Sequence, residues 1–226
     1  GLALRNVAAV EKLVYLNTTL TETESLPAVI KTAARPWIGK WLTRRSMYFL
    51  KLATTPGLGV QKKLSREVRQ GYYYPYRSSA RRAAIWDFVA DIPFDGEHPS
   101  YAEMLDMAGR LPELRHVPVQ IVWGLKDPCF HRIMLDKVAG HFPQASILEI
   151  PGASHLVLED ARSLANPAIR RFLLTGEGQG IQRESEGGRG TGCNALYEAF
   201  LERVETAPQA GAVIVPWGYL GELRYE

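Results

Sequence analysis

Apolar residues cluster in three short runs that are too brief for helices and too continuous for surface strands. Lys-Leu-Val-Tyr-Leu-Asn-Thr occupies residues 12–18, Val-Pro-Val-Gln-Ile-Val-Trp-Gly residues 117–124, and Ala-Ser-Ile-Leu-Glu-Ile-Pro-Gly residues 145–152. Runs rich in β-branched residues, two of them stopped by Gly or Pro-Gly, predict strands of a parallel sheet buried on both faces. A helical segment separates the second run from the third, another follows the third to about Leu174, and residues 1–11 look like the end of a helix. The predicted order places the chain in the α/β class, with a turn carrying Asp127 after one strand and a turn carrying His155 after the next.

Between Thr19 and Pro93 the pattern turns helical and aromatic. Trp37, Trp41, Tyr48 and Leu52 recur at three- to seven-residue spacings, with Lys40, Arg44, Arg45 and Lys51 between them. This predicts an amphipathic segment whose aromatic side belongs to an apolar pocket. The Tyr72-Tyr73-Tyr74-Pro75-Tyr76 stretch and residues 83–93 continue the same character. Tyr101 to Leu114 then supplies a helix that leads back into the sheet.

Beyond Leu174 the composition breaks. Residues 176–192 are rich in Gly with almost no apolar content, the composition of a flexible linker. Asn194 is placed to cap a helix bearing Leu196, Phe200, Leu201 and Val204 on one face. A strand is expected at Gly-Ala-Val-Ile-Val-Pro, residues 211–216. The expected division is therefore 1–175, a linker at 176–192, and a second unit at 194–226.

Composition narrows the function classes. Apolar residues make up 46% of the 226, enough for a substantial core, and the formal net charge of +3 is too small to argue for nucleic acid. Cys129 and Cys193 form neither a disulfide framework nor a metal motif, so a cytoplasmic setting fits. No apolar run is long enough to span a bilayer, and the chain opens on no export signal.

Asp127 and His155, 28 residues apart and each following a strand, are the candidate catalytic pair. Loops at the carboxyl ends of parallel strands are where open α/β folds place their chemistry. A carboxylate beside a histidine there is a general base with its orienting acid. Asp127 would hold the Nδ1 proton of His155 and leave Nε2 to take a proton or activate water. The other histidines, His98 in a loop, His116 before a strand, and His131 and His141 at the start and end of a helix, carry no such pairing.

The Trp-Gly-Leu-Lys-Asp-Pro and Pro-Gly-Ala-Ser-His turns resemble the acid and histidine turns in the last third of an α/β-hydrolase, in the branch that includes haloalkane dehalogenases. The resemblance implies that residues 19–93 form a helical cap over the pocket and that the opening helix is the one following a nucleophile elbow. The elbow motif is then expected upstream of Gly1, so that this chain alone would be inactive. Residues 194–226 resemble the start of the AMP-dependent acyl-adenylating ligases.

Together the two resemble the fused enzymes of bacterial long-chain olefin biosynthesis. In those, the hydrolase half decarboxylates a cis-β-lactone to an alkene. What this implies is a long-chain apolar substrate, no cofactor for the hydrolase part, and ATP with Mg for a downstream ligase. Other olefin-biosynthesis enzymes are then expected partners, and association with a membrane surface is a further, lower-ranked expectation from the basic and aromatic interleaving. A haloalkane dehalogenase, another hydrolase acting on esters or epoxides, and a non-catalytic or partner-binding piece remain open from the sequence.

Overall fold

A computed structural model describes residues 1–20, 28–178 and 211–214. A short helix α1 (Leu2–Arg5) and a 3-10 turn (Val7–Ala9) lead into β1 (Val10–Leu16). Among the described residues the cap is then formed by α2 (Ala28–Ala33), α3 (Pro36–Arg44), α4 (Tyr48–Ala53), α5 (Arg66–Tyr73) and α6 (Ala83–Ala90). The chain returns through α7 (Tyr101–Arg110) to β2 (Val119–Gly124), α8 (Arg132–His141), β3 (Ser146–Ile150), α9 (Val157–Asp160) and α10 (Arg162–Thr175). Gly176 ends α10 in the left-handed conformation, φ 78°, which its lack of a Cβ permits.

Among the described residues the strands form one parallel sheet in the order β3, β2, β1, β4, where β4 is Gly211–Ile214. The strand expected near residue 211 is therefore present, lying beside β1 with Leu13 opposite Val213. The rest of the tail, its expected helix and most of the expected linker lie outside the described residues. β1 itself ends earlier than expected, because Asn17 takes a positive φ of 21° and turns the chain out of the sheet.

Side chains alternate across the sheet as the pleat demands. Leu13, Tyr15, Ile121 and Trp123 face α8, whose Met134, Leu135 and Val138 are buried against them. Val14, Val122, Leu148 and Ile150 face the other way, onto Val157 of α9 and Ala165, Ile169 and Phe172 of α10. The three layers explain why the strands read as continuous apolar runs. The cap has its own small core of Ala33, Phe49, Ile85 and Val89.

The cap corrects one expectation. Trp37 and Trp41 were expected to line a pocket but are 81% and 62% exposed. The small face of α3 packs instead: a methyl on Gly39 would stand 1.6 Å from the Ala33 carbonyl oxygen and 2.6 Å from the Trp86 ring, and Thr43 is fully buried. Close approach through Gly39 and Thr43 turns the tryptophans outward.

Candidate active site

The site grows from the ends of two paired strands. Gly124 and Ile150 are partners at the last rung of β2 and β3, so the turns that follow start side by side. Leu125 N–H donates to Ile150 O at 3.1 Å and Lys126 N–H to Ala153 O at 2.9 Å, stitching one turn to the other. A Cβ on Gly124 would lie 2.4 Å from Ser154 O and 2.7 Å from Ala153 O. Glycine is needed in the Trp-Gly-Leu-Lys-Asp-Pro turn because the histidine turn passes directly over it.

This packing brings Asp127 and His155 together, with His155 Nδ1 2.6 Å from Asp127 Oδ2. Asp127 is 3% exposed, yet its carboxylate is fully engaged. Oδ1 accepts the backbone N–H groups of Cys129 at 2.7 Å and Phe130 at 3.1 Å, and Oδ2 accepts both His155 and Asn17 Nδ2–H at 2.9 Å. Burial alone would raise its pKa; the hydrogen bond and charge of His155, with the two backbone donors, outweigh it and hold the carboxyl below the usual range. An ionised Asp127 fixes the proton of His155 on Nδ1 and leaves Nε2 as the basic nitrogen. The imidazole stacks on Phe130, ring centroids 5.4 Å apart, and Phe130 is held in turn by Trp123 Nε1–H donating to its carbonyl at 2.8 Å.

Asn17 is the site residue that sequence reasoning missed. It is 2% exposed at the end of β1. Its amide accepts Gly124 N–H at 2.8 Å and donates to Gly124 O at 3.0 Å as well as to Asp127. One side chain thus ties β1 to the end of β2 and to the acid. The available signal was an Asn closing a buried apolar run, at the same strand end that carries the other two turns.

A second carboxylate joins the histidine turn to the cap. Asp160 accepts N–H groups from Ser154 at 2.8 Å, Gln61 at 2.8 Å and Lys62 at 3.2 Å. Ser154 Oγ donates to Leu58 O, and Leu156 N–H to Gly59 O at 2.7 Å. Ser154 is thereby a structural residue. Glu159 accepts Tyr72 Oη–H at 3.0 Å on the same side.

Between cap and sheet lies a cavity of about 990 Å³. Leu16, Asn17 and His155 form part of its floor, with Phe49, Tyr76 and Ile85 of the cap above. The walls are largely apolar, as a pocket for a hydrophobic small molecule requires.

The remaining candidates separate cleanly. His98 lines the cavity but is held by neighbouring backbone: Nε2 lies 2.9 Å from Ala90 O at the end of α6 and Nδ1 accepts Ser100 N–H at 3.1 Å. His141 closes α8, where a cation would suit the helix end, but burial and then Arg115 lower its pKa and disfavour the charge. The Cys129 thiol is pushed up to about 12 by burial and by Asp127, so it is no thiolate at neutral pH. Among the described residues no cluster of His, Cys, Asp and Glu has metal-binding geometry.

Comparison with known proteins sets this geometry in a fold. The chain superposes on a haloalkane dehalogenase from Bradyrhizobium elkani with TM-score 0.61 and 16% identity, over 70% of this chain and 56% of that one. A haloalkane dehalogenase from Agrobacterium tumefaciens gives TM-score 0.58 and 18% identity, over 70% and 56%. The chain has the α/β-hydrolase fold. No family model matches it. By sequence this α/β-hydrolase-fold chain is 32% identical over 180 residues to a cis-3-alkyl-4-alkyloxetan-2-one decarboxylase of Shewanella oneidensis, covering 78% of this chain and 56% of that protein. It is also 32% identical over 176 residues to a protein of the same name from Xanthomonas campestris, covering 76% and 58%. It therefore spans a little over half the length of these relatives, all of which are enzymes.

Proposed function

We propose that this chain carries the acid and base of an enzyme that decarboxylates a cis-β-lactone bearing two alkyl chains to an alkene and carbon dioxide. One observation carries the reading: the two β-lactone decarboxylases match at 32% identity over more than three quarters of this chain. A stretch of that length in this chain must include the Asp127 and His155 turns.

The overall conversion opens a four-membered lactone, breaking one C–O and one C–C bond and forming a C=C bond and a second C=O bond. It balances without water, oxidant or net proton. Any proton taken up by His155 Nε2 must therefore be returned within the cycle, and His155 with ionised Asp127 is suited to hold it. The reading calls for a carboxylate nucleophile or electrostatic partner from residues preceding Gly1. A hydrolytic dehalogenase differs at this point, because its histidine must activate a water that ends up in the product. No cofactor is needed for the hydrolase part.

The fusion to an ATP- and Mg-dependent ligase is the second part of the proposal. Its support is the Gly-rich composition of residues 176–192 and the resemblance of residues 194–226 to the opening of that family.

The test uses a protein that includes the segment preceding Gly1, given a long-chain cis-β-lactone and, separately, a long-chain haloalkane in ¹⁸O-water. Alkene and carbon dioxide from the lactone, with no ¹⁸O-labelled β-hydroxy acid formed, are expected. His155→Ala should abolish turnover, and Asp127→Asn should slow it by up to about 10⁴, the loss known for the same exchange in a serine protease triad. Halide release with the lactone untouched would overturn the proposal in favour of a dehalogenase.

A further inference from the structure

We propose that the cap docks on an anionic membrane surface through the outer face of α3. Charge and aromatic side chains gather here, away from Asp127 and His155 and independent of the lactone reading.

Residues 28–93 contain thirteen Lys and Arg against three acidic residues, a net of +10, whereas the whole chain carries only +3. The remainder is therefore net acidic, and the positive charge is gathered on the cap. Within it, Trp37, Lys40, Trp41, Arg44 and Arg45 follow one another at helical spacing along a single face of α3 and its C-cap. No ion pair among the described residues engages Lys40, Arg44 or Arg45.

The helix is seated firmly by its other side. Gly39 and Thr43 pack inward, and the buried Arg82 donates from Nε to Arg44 O at 2.8 Å and from one amino group to Tyr76 O and Arg77 O at 3.0 and 2.9 Å. Trp37 and Trp41 are thus held outward by a packed scaffold rather than left over by poor burial. Two exposed indoles one turn apart would be a liability in water. At the headgroup level of a bilayer their amphipathic rings are well placed. The Lys and Arg beside them reach lipid phosphates while their stems lie along apolar groups.

A polynucleotide fits less well. It asks for a groove that tracks a phosphate backbone between stacking platforms, whereas α3 presents a helix face. The next helix, α4, supplies Phe49, Leu50 and Ala53 to the cavity roof. Docking by α3 therefore sets the roof of an apolar cavity against the phase in which alkyl-chain molecules partition.

The test mixes the full chain with vesicles of phosphatidylcholine alone or with about a third phosphatidylglycerol, at low and at 0.5 M salt, reading co-sedimentation and tryptophan emission. Binding to the anionic vesicles only, with a blue shift, and release at high salt are expected. Lys40→Gln, Arg44→Gln and Arg45→Gln together should weaken binding about a hundredfold, at about fivefold per basic side chain. Trp37→Ser with Trp41→Ser should remove the blue shift. Both variants should melt as the wild type does, and Arg132→Gln with Lys137→Gln on α8 should bind normally. No binding to anionic vesicles, equal binding to both vesicle types, an unaffected α3 variant, or displacement by a single-stranded oligonucleotide at lower concentration than by lipid would each overturn the proposal.

Discussion

Replacing Asn17 by Asp probes the whole site with a single exchange of NH₂ for O. Asn17 Nδ2 lies 2.9 Å from Asp127 Oδ2, and both residues are almost fully buried. A carboxylate placed there faces another at hydrogen-bond distance, and two such groups cannot both ionise. Asp127 already has three other donors, so the new group at position 17 takes the proton and donates in place of the amide. Its folded pKa is then raised above its unfolded value of about 3.9 by about three units.

A group with a raised folded pKa contributes its full stability below its unfolded pKa and loses it as the pH climbs through the folded one. At 1.36 kcal/mol per unit, about 4 kcal/mol disappears between roughly pH 4 and pH 7. In the wild type the depressed pKa of Asp127 acts the other way: its stabilisation is complete above the ordinary carboxylate range and is lost as the pH falls from there through the folded value. That contribution is flat between pH 5 and 8. Urea midpoints of both proteins at pH 5, 6.5 and 8 should therefore diverge, most of the change falling between pH 5 and 6.5 and the gap levelling off towards pH 8. Asn17→Ala should instead lose about 1–3 kcal/mol at every pH, from the buried Gly124 N–H left without its acceptor. A constant gap between Asn17→Asp and wild type across this range would refute the reasoning.

Gly124→Ala drives a methyl into the Ala153 and Ser154 carbonyls, so a loss of about 1–3 kcal/mol is expected, read by thermal melting. Its displacement of the histidine turn should slow turnover of the extended protein by about a hundredfold. Asp160→Ala deprives Ser154, Gln61 and Lys62 N–H groups of their acceptor. Trypsin should then cleave after Lys62 or Lys63 several times faster than in the wild type, with Asn as a partial rescue; unchanged cleavage would mean that other contacts hold this loop.

The strands and the contact between Asp127 and His155 were legible because both are written locally. Strands buried on two faces read as short apolar runs, and Asp127 and His155 each follow such a run within a few residues. Their pairing needed only the rule that neighbouring parallel strands present their carboxyl ends together, and the fold places them 2.6 Å apart. What the residues could not announce is anything that depends on which face of an element finds a partner. The Trp37 and Trp41 stripe has the periodicity of a buried face, but Gly39 allows the opposite side to approach Ala33 so closely that the small face is the packed one. Asn17 looks like an ordinary strand end until β1 and β2 are in register and its amide meets Gly124 and Asp127 more than a hundred residues away. Sequence sets periodicity and local turns, since those depend on neighbours along the chain. The choice of packed face and the last hydrogen bond to a buried carboxylate depend on neighbours in space, and only the assembled sheet and cap supply them.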